Sequence, residues 1–203
     1  PRFVDIEKDY FCLDPKLVKE NINDQTKAII AVNLFGQPAS LHELRQIADE
    51  NNLILIEDNA QGPTATENGI FAGTIGHIGV FSLNYHKHMH CGEGGICTTN
   101  DDNLSLKLQF IRNHGEACVE EARVNDITNT MGSNLRLPEL SATVAYEQLL
   151  KSEKLVSDRV ILAEKLNTEL AKSAYKNLEV YSTQKRIPHY AISMDADVVS
   201  CTG

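Results

Sequence analysis

Two apolar runs with an amphipathic helix between them constrain the fold of this chain most strongly. Residues 27–36 and 53–56 are nearly continuous in apolar side chains, which is typical of strands buried on both faces. Ser40 is placed to cap the helix, whose apolar side chains form one stripe (Leu41, Leu44, Ile47, Ala48). Strand–helix–strand units of this length form right-handed crossovers between parallel strands. The sequence therefore predicts an α/β fold with a mainly parallel sheet.

The beginning and the end of the chain give weaker signals. Phe3, Val4 and Ile6 predict a short strand, and Asp14 followed by Pro15 predicts the start of a helix. A helical pattern covers residues 138–171, a length nearer that of a connecting helix than of an ordinary one. We therefore expect a first domain over residues 1–150 and a second part over residues 151–203. That second part has strand-like fragments (178–181 and 190–192) and is too short for a core of its own.

Composition excludes several classes of protein. The 203 residues carry a net charge of -9, which argues against a general nucleic-acid binder because such a protein needs a basic face. No apolar run approaches the ~20 residues of a membrane span. The five cysteines show no C-x-x-C spacing, which favours a reduced, cytoplasmic protein. The chain starts at Pro1 and has no signal segment, so we expect it to be part of a longer protein.

Three chemically active side chains follow the ends of predicted strands. Asp58 closes the second apolar run, and Ser82 closes a third run that includes Ile78, Val80 and Phe81. Lys87 comes five residues after Ser82, before a glycine-rich turn. Ligands of open parallel sheets bind at the carboxyl ends of the strands. The convergence of these three residues predicts a functional site at that edge.

Each of these residues also has an ordinary structural interpretation. A carboxylate at a strand end commonly caps a turn, and a loop lysine is usually a solvated surface charge. However, a carboxylate such as Asp58 can keep a cofactor ring nitrogen protonated, and Gln61 follows it in a loop of small and polar residues. A partly desolvated lysine amine can form a Schiff base with an aldehyde. The hydroxyl of Ser82 could hold a phosphate, or it could simply complete a turn.

Histidines flank the lysine and raise the alternative of a metal site. In an extended segment His86, His88 and His90 would share one face, as metal ligands do. No cysteine or carboxylate elsewhere has the spacing to complete such a site. The sequence therefore predicts no metal.

Four motifs in order give the chain a specific resemblance. They are LIEDNAQGPTAT, GTIGHIGVFSLNYHKHMHCGEGGICTTND, RNHG and GSNLRLPEL. Together they strongly resemble the pyridoxal-phosphate sugar aminotransferases of the DegT/StrS type, and the similarity extends from Phe3 to about Arg159. The resemblance implies the three-layer large domain of a fold-type I transferase and the beginning of a small C-terminal domain. The segment of that family that grips the cofactor phosphate has no counterpart here.

The resemblance also implies roles for individual residues. Lys87 is similar to the lysine that forms a Schiff base with pyridoxal 5'-phosphate and moves the proton during transamination. Asp58 is similar to the partner of the pyridinium nitrogen, and Gln61 to the residue beside the ring hydroxyl. Ser82 is similar to a phosphate ligand. Asn134 is similar to a residue that reaches the cofactor phosphate of the neighbouring subunit, which implies a homodimer with a shared active site.

The implied reaction transfers an amino group from an amino acid such as glutamate to a keto-sugar, often nucleotide-linked, for amino-sugar and cell-surface polysaccharide synthesis. A related branch carries histidine at the lysine position and removes a hydroxyl instead. The spacing from Ser82 to Lys87 and onward to Gly92 keeps the aminotransferase register, which favours transamination. A sugar dehydratase and a non-catalytic member or fragment that binds a sugar or a partner are the alternatives.

Overall fold

A computed structural model describes residues 1–8, 10–116 and 131–172. In this part of the chain the helices are α1 (Pro15–Asn21), α2 (Leu41–Glu50), α3 (Asp102–Arg112), α4 (Glu139–Leu149) and α5 (Ser152–Lys172), with a 3-10 helix at Leu34–Gly36. The strands are β1 (Ala28–Val32), β2 (Ile54–Asp58), β3 (Thr66–Glu67), β4 (Ile70–Phe71), β5 (Ile78–Ser82) and β6 (Gly95–Thr98). The predicted strand fragments at 178–181 and 190–192 lie outside the described residues.

The main sheet has the strand order β1-β2-β5-β6. Strand β2 pairs in parallel with β1 and with β5, so that Ile30, Ile56 and Ile78 lie side by side. Strand β6 returns antiparallel to β5, with Cys97 opposite Val80. The α/β class and the mainly parallel sheet predicted from the sequence are confirmed.

The core lies on one face of this sheet. Ile29, Ala31 and Leu55 are buried there, together with Leu41 and Leu44 of α2. The side chains that alternate with them point to the opposite face of the sheet, which is more open to solvent. The prediction of strands buried on both faces is wrong for β1: Ile30 is 63% exposed and Val32 is 41% exposed. A continuous apolar run therefore does not by itself establish that both faces of a strand are covered.

The connection between β2 and β5 is held by a buried carboxylate. Glu57 is 0% exposed, and its two oxygens accept hydrogen bonds from the backbone N–H groups of Gly73, Ile75 and Gly76. The bond from Ile75 is 2.8 Å long. Without this carboxylate the three N–H donors would be buried without partners. Glu57 therefore supplies the hydrogen-bond acceptors for the turn that leads into β5. The same connection contains the β3–β4 hairpin.

Asparagines complete the polar framework at the ends of β1 and β2. The Asn33 side-chain amide donates to Asn59 Oδ1 at 3.0 Å, and Asn33 Oδ1 accepts from the Ala39 N–H at 3.0 Å. Asn59 in turn donates to the Ala72 carbonyl at 2.9 Å. Both asparagines are almost completely buried. The predicted strand over residues 27–36 ends at Val32, because the chain enters the 3-10 helix at Leu34–Gly36.

Other predicted elements are confirmed or corrected. Asp14 caps α1 by accepting from the Lys16 N–H at 2.9 Å. The predicted strand at Phe3, Val4 and Ile6 is wrong, since only an isolated bridge between Ile6 and Leu13 forms. Next to this bridge, the Glu7 N–H bonds to the Cys12 carbonyl at 2.9 Å and the Phe11 N–H bonds to the Glu7 carbonyl at 3.1 Å.

The long helical pattern over residues 138–171 forms two helices instead of one. The break lies at Leu150 and Lys151, where the Lys151 N–H bonds to the Gln148 carbonyl three residues back. Within the described residues, no helix combines the length and apolar character needed to cross a membrane.

Removal of the Glu57 carboxylate is expected to destabilise the protein. Glu57→Ala leaves three buried N–H donors without their acceptor, each at a cost of about 1–3 kcal/mol, so the free energy of unfolding should fall by several kcal/mol. Glu57→Gln keeps one acceptor oxygen and should have a smaller effect. Urea denaturation measures both. The exposed Glu20→Gln control should change stability by less than about 0.5 kcal/mol, and an equally small effect of Glu57→Ala would contradict the assigned role.

Candidate active site

The carboxyl ends of β2 and β5 bring two of the predicted site residues to one face. Asp58 lies beside Val80 in the parallel register, and Ser82 follows two residues later on β5. Because side chains two residues apart in a strand point the same way, Asp58 and Ser82 share the more open face. The two side chains are thus neighbours at the edge where parallel sheets bind ligands.

The backbone around Asp58 is fixed by bonds to both neighbouring strands. The Asp58 carbonyl accepts from the Asn33 N–H at 2.9 Å, and the Asn59 N–H donates to the Val80 carbonyl at 2.8 Å. The side chains of Glu57 and Asn59 point into the core on either side. The carboxylate of Asp58 accepts one local bond, from the Ala60 N–H at 3.1 Å. Its remaining acceptor capacity is available to a ligand on the open face.

Gln61 ties the loop after β2 to the turn after β1. Its side-chain oxygen accepts from the Phe35 N–H at 2.6 Å. Phe35 and Gly36 have φ values of 54° and 78°, so the backbone turns sharply here and presents its N–H toward the β2 loop. Gln61 therefore lies at the same edge as Asp58. Its amide NH2 group takes no part in the bond to Phe35.

Lys87 lies in a loop that leaves β5 directly after Ser82. The Lys87 N–H donates to the Asn84 carbonyl at 2.9 Å, and the Asn84 N–H donates to Ser82 Oγ at 3.2 Å. Backbone bonds from Leu83 to Gly94 and from Cys91 to Leu83 close the base of the loop. Lys87 is half-buried. The backbone of Lys87 is thus held in a loop that begins at the edge carrying Asp58 and Ser82.

The histidines around Lys87 do not form the shared face of an extended segment. Residues 85–89 form turns, and within them His88 is buried whereas His86 is exposed, with its ring 3.8 Å from that of Tyr85. Burial lowers the pKa of His88 to about 4, and the positive charges of Arg159 and Lys87 act in the same direction. His88 is therefore neutral at pH 7. Among the described residues, no group of three His, Cys, Asp or Glu side chains could hold a metal ion.

Asn134 lies in a different segment from the other predicted site residues. It is exposed and bridged to Asn113 after the end of α3, and its Oδ1 accepts from the Arg136 N–H at 3.4 Å. These contacts attach Asn134 to the end of α3. Three residues further on, Leu137 packs close to Gly94 at the end of the Lys87 loop.

The side chains at the sheet edge define a chemical profile. They include a carboxylate that can accept from a cationic N–H group, a hydroxyl that can donate to an anion, an amide and a primary amine that can react with an aldehyde. Glu57, Asn33 and Asn59 were missed by the sequence reasoning, although each is a polar side chain placed next to an apolar strand. That contrast is the signal that could have revealed them.

Nearly the whole chain matches one protein family. The sequence profile of the DegT/DnrJ/EryC1/StrS aminotransferase family covers residues 1–199. The chain therefore belongs to this family, and the resemblance inferred from the four motifs is confirmed.

Individual relatives agree in sequence and in fold. The L-glutamine:2-deoxy-scyllo-inosose aminotransferase of Streptoalloteichus tenebrarius is 36% identical over an alignment of 182 residues, and the match covers 87% of this chain and 43% of that protein. The structure of DesI with its TDP-sugar product has a TM-score of 0.77 at 27% identity and covers 84% of this chain and 42% of that one. The structure of the E. coli GDP-4-keto-6-deoxy-D-mannose-3-dehydratase with bound hydrated PLP has a TM-score of 0.72 at 32% identity. That match covers 83% of this chain and 46% of the dehydratase chain. The chain spans less than half the length of each.

The buried neutral His88 should make stability depend on pH. Its pKa in the folded protein, about 4, lies below the usual value of 6.5, so the unfolded chain binds the proton more tightly. The contribution of His88 is therefore fully present above pH 6.5 and is lost as pH falls toward 4. The maximal loss is about 3 kcal/mol.

Urea denaturation between pH 4 and pH 7 measures this effect. His88→Gln should flatten the dependence of the unfolding free energy on pH, whereas His86→Gln, at the exposed neighbour, should leave it unchanged. Equal slopes in the wild-type protein and His88→Gln would show that His88 does not titrate in this way.

Proposed function

We propose that this chain is part of a pyridoxal-phosphate-dependent aminotransferase that converts a nucleotide-linked keto-sugar into an amino sugar. The observation that supports this most directly is the placement of Asp58, Ser82 and the Lys87 loop at one edge of the sheet in a chain of the aminotransferase family. The names of the relatives include a glutamine-dependent aminotransferase and a TDP-sugar product. They support a sugar-like acceptor and glutamate or glutamine as the amino donor.

The donor set described above fits pyridoxal phosphate. When bound, this cofactor supplies an electron sink for the carbon that loses or gains a proton. Lys87 is the residue whose amine would hold the aldehyde group of the cofactor and would hold and move the proton as general base. Asp58 would keep the ring nitrogen protonated, Gln61 would hold the ring hydroxyl, and Ser82 would donate its hydroxyl to the phosphate.

A sugar dehydratase with the same cofactor is the second candidate. The similarity to the E. coli 3-dehydratase, at 32% identity and with a TM-score of 0.72, supports it. Lys87 favours the aminotransferase, because a primary amine both links to the aldehyde and carries the proton. The two histidines beside it are poor substitutes, since His86 is exposed and His88 is turned into the protein.

The wider organisation of the protein is part of the proposal. Asn134 is exposed, which suits a residue that serves the cofactor phosphate of a second subunit. We infer a cytoplasmic homodimer with shared sites, in which residues 1–150 belong to the cofactor-binding domain and residues 151–203 begin a smaller domain. The amino sugar would enter cell-surface polysaccharide.

Reductive trapping tests the cofactor assignment. After incubation of the protein with pyridoxal phosphate and treatment with borohydride, peptide mass spectrometry should find the pyridoxyl adduct on Lys87. Lys16→Ala, at an exposed lysine of α1, should leave the adduct yield unchanged, whereas Lys87→Ala should abolish it. An adduct spread evenly over surface lysines would contradict the assignment.

Isotope transfer separates the two candidate reactions. With a keto-sugar nucleotide and 15N-labelled glutamate or glutamine, the aminotransferase incorporates 15N into the sugar, while a dehydratase releases a deoxysugar without 15N. Lys87→Ala should lower the amination rate by at least about 10²-fold, the lower bound for a general acid–base step. Native turnover by Lys87→Ala would show that another group is the base.

A further inference from the structure

Asn84 connects the Lys87 loop to the rest of the site through both its backbone and its side chain. Its backbone bonds, to Ser82 Oγ and from the Lys87 N–H, are described above. Its Oδ1 accepts from the His86 N–H at 3.1 Å. Its Nδ2 donates to Glu93 Oε1 at 2.7 Å. One residue thus contacts the predicted phosphate ligand, the turn of the lysine and the far end of the loop.

The bond to Glu93 joins the two ends of the segment that carries Lys87. Asn84 and Glu93 are nine residues apart, and the intervening residues 85–92 form the loop. Next to them, the Leu83 N–H bonds to the Gly94 carbonyl at 2.8 Å. The side-chain pair therefore adds one more contact to the backbone bond that already joins the two ends of the loop. Because its acceptor is a carboxylate, this bond is stronger than one between neutral groups.

We propose that Asn84 and Glu93 are positioning residues that set the location and the reactivity of the Lys87 amine. This inference depends on the proposed function, in which Lys87 reacts with the cofactor aldehyde. The path of the loop from Asn84 to Lys87 is short, so a displacement of Asn84 is transmitted to the lysine through the His86 and Lys87 N–H bonds. Neither Asn84 nor Glu93 acts on the reacting atoms.

The amide of Asn84 fits its two side-chain contacts because it has one acceptor and one donor group. An aspartate at this position would still accept from the His86 N–H, but it would face Glu93 with a second carboxylate and no donor. Asn84→Asp therefore breaks the bond across the loop and leaves the local turn in place. Glu93→Gln keeps an oxygen that can accept from Asn84 but removes the charge.

The double variant Asn84→Asp/Glu93→Gln reverses donor and acceptor across the same contact. The amide introduced at position 93 would donate to the carboxylate introduced at position 84, and the net charge of the pair would be the same as in the wild-type protein. The bond is restored with the opposite polarity. A role that depends on the contact itself should therefore recover in the double variant, whereas the effect of an unrelated local perturbation should not.

Two measurements on the full chain report the reactivity of the Lys87 amine. The first is the ratio of pyridoxyl adduct on Lys87 to that on exposed Lys16 after treatment with pyridoxal phosphate and borohydride. The second uses no cofactor: a trace amount of methyl acetimidate labels the amines, and peptide mass spectrometry gives the rate at Lys87 relative to Lys16 and Lys107. Asn103→Asp, the same substitution at an exposed position of α3, is the matched control. Urea midpoints establish that each variant is folded.

Asn84→Asp should lower the adduct ratio by about tenfold, the factor expected for the loss of one hydrogen bond. It should also shift the relative labelling rate of Lys87 toward that of Lys16. In the double variant both ratios should return to within about twofold of their wild-type values. Asn103→Asp should leave both ratios at the wild-type value. Unchanged ratios in folded Asn84→Asp, or no recovery in the folded double variant, would overturn the proposal.

The cofactor-free measurement separates this inference from the proposed function. If the wild-type protein forms no adduct at Lys87, the proposed function fails. In that case a labelling rate that changes in Asn84→Asp and recovers in the double variant still supports the control of Lys87 by the pair. If the adduct forms at Lys87 and neither ratio responds to the variants, the pair has no positioning role and the proposed function stands.

Discussion

The structure depends on one buried carboxylate, Glu57, that binds backbone N–H groups far away in the sequence. Its donors lie 16 to 19 residues further along the chain, in the turn that leads into β5. A charge can be buried at this position because the backbone dipoles replace the hydration that it loses. Through this turn Glu57 determines where β5 begins, and β5 in turn delivers Ser82 and the loop of Lys87.

The neighbouring carboxylate, Asp58, has a different environment because side chains alternate across a strand. Glu57 points into the core, where its acceptor capacity is used by the turn, while Asp58 points to the open face and retains acceptor capacity for a ligand. Asn59 then points inward again and bonds to Asn33 and Ala72. The polar core residues on both sides of Asp58 prevent the strand from shifting by one residue, which would exchange the two carboxylates.

Sequence patterns were sufficient for the parts of the fold that follow from periodicity. The apolar runs predicted β1, β2 and β5, and the strand ends predicted that Asp58 and Ser82 would meet at one edge. Periodicity cannot show which side chains bond across 16 or more residues, so the roles of Glu57 and Asn33 were missed. It also cannot show whether a strand is covered, which is why burial of Ile30 was wrongly expected. Periodicity likewise could not show that His88 is buried or that the charge of Arg159, from α5, helps to lower its pKa.

The groups of the proposed reaction are held in two physically different ways. Asp58 belongs to a strand with bonded neighbours on both sides and buried polar residues before and after it, so its position is a property of the sheet. Lys87 belongs to a loop whose two ends are joined through Asn84 and Glu93, and the buried His88 anchors the same loop to the protein. Substitutions in the core should therefore affect stability and Asp58 together. Substitutions at the loop ends can change the lysine while the sheet stays intact, which makes this loop the part of the site that can vary without loss of the fold.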